Sequence, residues 1–145
     1  MTLPASDTWK TNALVSVCGS ISVMNVVFDG SGMPPGGGSL SLFRILNGAS
    51  VELGASAGIR AVTLAQESGD NKSVQGVVSV LNGGMFQMDA GSFVTDCTGG
   101  RPTFGPGICC IGGTVRDCHV TGTSVGGSSG ESGAAIVYGA GIYVN

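Results

Sequence analysis

Among the nine acids of this 145-residue chain, Glu52, Asp96 and Asp117 are candidates for chemistry, beside a single histidine, His119. Carboxyl groups held together could share proton transfer in paired-carboxylate hydrolysis of a glycoside, or hold calcium for lyase chemistry. Either use requires the fold to gather residues distant in sequence. A Ser-His-Asp relay would rest wholly on His119, whose expected place is the outer face of a strand. The five cysteines are Cys18, Cys97, Cys109, Cys110 and Cys118. An odd number argues against a complete disulfide framework. Cys109 and Cys110, adjacent in a strand, point to opposite faces and cannot share one metal. With no Cys-x-x-Cys pair, no metal ligands and no cofactor are expected. Most of the cysteines are expected to pack as small apolar groups, and a Cys97–Cys118 bridge stays open if the two occupy neighbouring turns.

Composition excludes several partners. Six basic residues against nine acidic ones give a net charge of −3, without a basic cluster, so neither nucleic acid nor an anionic membrane surface is expected to bind. No run approaches the roughly 18 apolar residues that span a bilayer. Gly36–Gly38 and Gly126–Gly130 lack the Lys-Ser/Thr ending of a phosphate loop, and Asp29-Gly-Ser-Gly holds too few acids for a calcium loop. There are 27 glycines, and charged residues make up 10% of the chain. No segment of helical length carries apolar residues at three-and-four spacing, so the chain is expected to be all-β.

The elements that must position these side chains are announced by a repeated phrase. Val15–Ile21, Phe43–Val51, Val78–Phe86, Ile108–Val115 and Ile136–Ile142 align on Gly19, Gly48, Gly83, Gly112 and Gly139, with successive spacings of 29, 35, 29 and 27 residues. Three residues after the glycine come Val51, Phe86, Val115 and Ile142. Five after come Leu53, Met88, Asp117 and Val144, with Asp117 breaking the column. Between the columns lie Glu52, Gln87, Arg116 and Tyr143. This is period-two alternation of half-buried strands. The first copy fits with a one-residue shift that puts Ile21 and Val23 in the buried rows. Further strand runs are expected near Met24–Phe28, Ile59–Leu64, Ser92–Asp96 and Cys118–Thr121, and a third set before the glycine, as in Leu40–Leu46.

Two all-β architectures compete. Asn47-Gly48 and Asn82-Gly83 could be two-residue hairpin turns of an antiparallel β-sandwich. Alternatively they are corners of a right-handed parallel β-helix, where glycine takes up left-handed backbone. Matched columns about 30 residues apart favour the coil, because a stacked unit buries its apolar row only against its neighbour. The expectation is a solenoid of about four to five turns. Residues 1–11 would form an N-terminal extension and residues 12–145 one domain. Within the coil, Asp96 and Asp117 could approach across adjacent turns, and Glu52 and Arg116 could share a face with Gln87 between them. Thr95, Thr98, Thr103, Thr114, Thr121 and Thr123 are not expected to form a matched ladder.

Gly139–Asn145, Asn82–Ser92 and Gly19–Gly30 resemble repeats of bacterial cell-surface β-helix proteins: pectin-lyase-like adhesins and autotransporter-type or polymorphic outer-membrane-type passengers. The resemblance runs over nearly all of the chain. It implies a right-handed parallel β-helix, on which that group carries both adhesive modules and polysaccharide-cleaving enzymes. Fold alone does not choose between them. The expected function is a non-catalytic structural or adhesive module, extracellular or at the cell surface. It would present loops 30–39, 66–73, 98–107 and 123–133 to a glycan or protein partner. The alternative is a fragment of a polysaccharide lyase or glycoside hydrolase using Asp96, Asp117 and Glu52. Met1–Asp7 has no secretory pattern, so the chain is expected to be a piece of a longer solenoid. Neighbouring turns of that solenoid, or self-association through end edges, would meet its ends.

Overall fold

A computed structural model describes residues 13–32, 41–64, 76–99, 106–125 and 141–145. Among them are fifteen strands and no helix. A first rung of the chain holds β1 (Val15–Val17), β2 (Ser20–Val23) and β3 (Val27–Asp29). A second holds β4 (Phe43–Ile45), β5 (Ser50–Leu53) and β6 (Gly58–Arg60). The third comprises β7 (Val78–Val80), β8 (Met85–Met88), β9 (Phe93–Thr95) and β10 (Thr98–Gly99). The fourth comprises β11 (Ile108–Cys110), β12 (Thr114–Arg116), β13 (Val120–Thr121) and β14 (Ser124–Val125), and β15 (Ile142–Val144) comes last.

Strands of like position pair across rungs. The first sheet runs β1-β4-β7-β11-β15, the second β2-β5-β8-β12 and the third β3-β6-β9-β13, with a small β10-β14 pair. Each of these pairings is parallel. An antiparallel sandwich is thereby excluded for the described residues, and Asn47-Gly48 and Asn82-Gly83 are not hairpin tips.

Registers show why the apolar columns exist. Ile21, Val51, Phe86 and Val115 lie side by side in the second sheet. Val17, Ile45, Val80, Cys110 and Val144 do so in the first, and Phe28, Ile59, Val94 and Val120 in the third. Apart from Ile21 and Val144 on the outermost strands, they belong to or pack against one apolar cluster. Phe28 and Phe43 join the third sheet to the first edge-to-face, with ring centroids 5.2 Å apart, a geometry the ring quadrupoles favour. Val51 and Phe86 are fully buried, while Val115 packs partly buried against them. The one-residue shift expected in the first copy is borne out by the Ile21–Val51 and Val23–Leu53 pairings. Exposed large apolar side chains among the described residues sit on the outermost strands or beside them: Ile21 at 37%, Met24 and Val144 at 59%.

The rungs turn through left-handed backbone at three places. Gly48, Gly83 and Gly112 (φ 73°, 73° and 65°) link the first sheet to the second. Asn25, Ser56, Gly91 and Asp117 (φ 55°, 58°, 85° and 52°) lie between the second and third. Ala61, Asp96 and Gly122 (φ 52°, 53° and 62°) stand just beyond the third. Asn, Asp and Gly tolerate this region best.

Three sequence expectations change. Ile142 and Val144 pair with Ile108 and Cys110 in the first sheet, not with the residues after Gly112, so Ile142–Val144 stand one strand earlier than the alignment on glycine puts them. Asp117 is not a polar intruder in a buried column: the chain has already turned the corner there. Thr98-Gly99 and Ser124-Val125 are paired strands, whereas most of the other residues of the four expected recognition loops fall outside the described ones.

Phe86 is the measure of this register. Phe86→Ala should cost about 3–5 kcal/mol in urea unfolding, and Phe86→Asp should leave no cooperative transition, since it buries an unpaired charge. An unfolding midpoint equal to the parent's in either variant would contradict the stacking described.

Candidate functional site

The three candidate acids stand in three different columns. Glu52 lies on the outer side of β5, in the row Ser22–Glu52–Gln87–Arg116. The expected sharing of that face with Arg116 is borne out, with Gln87 between. Asp117 occupies the corner before β13, and Asp96 the corner after β9. Asp96 stacks on Gly122, where its Oδ1 fills the space a side chain would need. Asp96 and Asp117 are thus in adjacent rungs but at opposite ends of the strands of the third sheet, and the approach the sequence allowed between them is not made. Both are exposed, as is His119.

All five cysteines are free thiols. The Cys97–Cys118 bridge left open by the sequence is absent for a topological reason. Cys97 lies past the corner after β9 and bonds through its carbonyl to Ser124, while Cys118 precedes β13 on the far side of the sheet. Cys110 belongs to the core cluster and Cys109 is buried outside it, as opposite-facing neighbours must be. Burial pushes the Cys109 thiol up to about 12, and the Cys97 and Cys118 thiols to about 11. Among the described residues no group of three or more His, Cys, Asp or Glu could hold a metal ion.

The richest outward surface is the outer face of the third sheet. One row reads Asp29–Arg60–Thr95–Thr121. Arg60 donates to Asp29 Oδ2 from Nε at 2.9 Å and Nη2 at 2.6 Å, and its side chain remains 54% exposed. The Asp29 carboxylate also accepts the Ser31 N–H at 2.9 Å. That backbone bond, then the Ser31 side chain and Arg60, lower its pKa to about 2. Thr121 Oγ1 donates to Thr95 Oγ1 at 3.1 Å. In the neighbouring row, the Phe93 ring lies over Gly58, in the volume a Cβ would occupy, and β9 continues to His119 through the Val94 N–H to His119 carbonyl bond. Around the next corner, Thr98 is bridged to Thr63 and paired with Ser124, their hydroxyls 3.3 Å apart. The expectation that the threonines form no ladder is therefore corrected in part: Thr95 sits on Thr121 and Thr98 between Thr63 and Ser124, though on two faces.

Sequence reasoning missed Asp29–Arg60. The signal is present, since Phe28 and Ile59 are equivalent core residues and Asp29 and Arg60 come directly after them, but it emerges only when the second strand runs are aligned on each other rather than on the glycines. What the face can do chemically is bind: it offers a cation, an aromatic edge and hydroxyls at strand spacing, about 4.8 Å. No family model, curated protein or solved structure matches the chain.

Two titrations test these environments. Asp29 has a depressed pKa, so its contribution to stability is present above the ordinary 3.8 and is lost as pH falls toward about 2. Ser31→Pro, which removes the N–H donor, should raise the Asp29 pKa measured by NMR; an unchanged value would discount that bond. For the raised thiols the sign reverses. Stability is intact below pH 9 and declines as pH rises from 9 toward 12. At neutral pH a disulfide reagent should label exposed Cys18 first, with Cys97, Cys109 and Cys110 reacting only on unfolding. Rapid labelling of all five in folded protein would contradict the burial.

Proposed function

We propose that the chain is a right-handed parallel β-helix acting as a non-catalytic structural and adhesive module of a secreted or cell-surface protein. Handedness comes from chain chirality, since parallel crossovers within one sheet are right-handed in about 98% of cases. The supporting observation for adhesion is the outer face of the third sheet, where Arg60, Phe93, Thr95 and Thr121 project from strands locked in parallel register. A rigid array of this kind loses little conformational entropy on binding. It suits a partner that is itself extended and polar, a glycan or a protein surface. The placement of Glu52, Asp96 and Asp117 in separate columns favours this reading over a polysaccharide lyase or hydrolase, whose acids must converge on one bond.

A glycan array probed with the purified chain tests the proposal. Binding to at least one glycan class is expected. Arg60→Ala and Phe93→Ala should each weaken it about tenfold, a loss of ~1.4 kcal/mol, while circular dichroism stays that of the parent. Binding untouched by both variants would move the site elsewhere. Release of new reducing ends or unsaturated sugars from a polysaccharide would replace the module with an enzyme.

A further inference from the structure

Asn47-Gly48 and Asn82-Gly83 occupy equivalent positions in consecutive rungs, and both asparagines are exposed to water. An Asn-Gly pair carries its own reaction. The glycine amide nitrogen attacks the asparagine Cγ, and a new C–N bond closes a cyclic imide. The side-chain nitrogen leaves as ammonia. Water then opens the imide at either carbonyl, giving aspartate or isoaspartate, with no oxidant or reductant required.

We propose that these two pairs are modification sites held silent by stacking and released when the rungs part. Two observations carry this. The Gly48 N–H donates to the Gly83 carbonyl at 3.2 Å, and the Gly83 N–H to the Gly112 carbonyl at 2.9 Å. Each attacking nitrogen is therefore committed to a bond along the stack, and its peptide plane is held by the left-handed corner at φ 73°. The electrophile is held too. Asn47 Oδ1 lies against Gly83, and Asn82 Oδ1 against Gly112, where a Cβ would otherwise sit. The carboxamides thus reach along the stack toward the next rung. Solvent already reaches both sites, so geometry rather than burial prevents the reaction.

The change is one-way. Aspartates at 47 and 82 would place like charges one strand spacing apart, about 4.8 Å. Isoaspartate would add a backbone atom and break the corner's register with the next rung. A rung that opens long enough to react cannot restack as before, so deamidation records opening of the stack.

The folded protein and the same chain in concentrated urea are incubated at neutral pH, and peptide mapping by mass spectrometry tracks each asparagine. Deamidation of Asn47 and Asn82 should be roughly tenfold or more slower in the folded protein, because reaction proceeds from the opened population. Val51→Ala, which destabilises the stack beside both corners, should speed both sites in buffer while leaving the urea rates unchanged. Equal rates in buffer and urea would overturn the proposal. So would reaction of either asparagine in folded protein whose Gly48 and Gly83 amides stay protected from hydrogen exchange, or failure of both to react in urea.

Discussion

The structure depends on a single constraint: each rung must repeat the backbone path of the one beside it. Carbonyls and amides of the strands have their partners in the neighbouring rungs, and so do the corners, as in the Gly48–Gly83–Gly112 chain of bonds. A corner cannot choose its conformation freely. Gly30, beside Ala61 in the first rung, is not left-handed, but from the second rung onward a corner turns left-handed where its neighbours do, whatever residue stands there. Ala61 does so at φ 52° beside partners that tolerate it better, Asp96 one rung along and Gly122 beyond. Left-handed backbone costs an ordinary residue roughly 1–2 kcal/mol. Such strain persists only where the surroundings over-determine it, and here the flanking parallel strands supply that determination.

The same constraint divides the side chains. Inward rows must be apolar along their whole length, because each member touches the next; hence Val51 against Phe86 and Ile45 against Val80. Buried polar side chains outside those rows are satisfied locally. Ser41 and Ser79 share a 2.7 Å bond, and Ser92 donates to the Asp89 carbonyl at 2.8 Å. Outward rows have no such requirement, so their composition is free to serve recognition. Gly58 shows two members of one outward row interacting: its missing side chain lets the Phe93 ring lie over it.

This explains which features are legible in the sequence. The Val51–Phe86–Val115 column and the glycine corners are legible because core contact and left-handed backbone each restrict residue type strongly. The sandwich alternative arises because Asn-Gly signals a left-handed residue without fixing the direction of the next strand. Ile142 is misplaced because an apolar residue three positions after a glycine looks alike in either sheet. The Asp117 corner is hidden because aspartate serves both as a tolerant left-handed residue and as a catalytic acid. Cys97 and Cys118 are indistinguishable from bridge partners until the strand between them is placed. The outward face is least legible, since exposed positions accept most residues and only register reveals which of them meet.

Register also bears on what chemistry such a surface can perform. Groups on one outward row are separated by multiples of about 4.8 Å. A retaining glycosidase needs its carboxyl groups about 5–5.5 Å apart, which adjacent rungs could supply if two acids shared a row. In the described rows they do not. Asp29 adjoins Arg60, Glu52 adjoins Ser22 and Gln87, and Thr95 adjoins Thr121. Acids are paired with a cation or with neutral polar groups, and the other two candidates have been taken by corners. What the described outer face of the third sheet offers is a polar edge with the Phe93 ring and the Arg60 guanidinium. Such an edge matches an extended partner in shape, and the described rows place no two acids side by side.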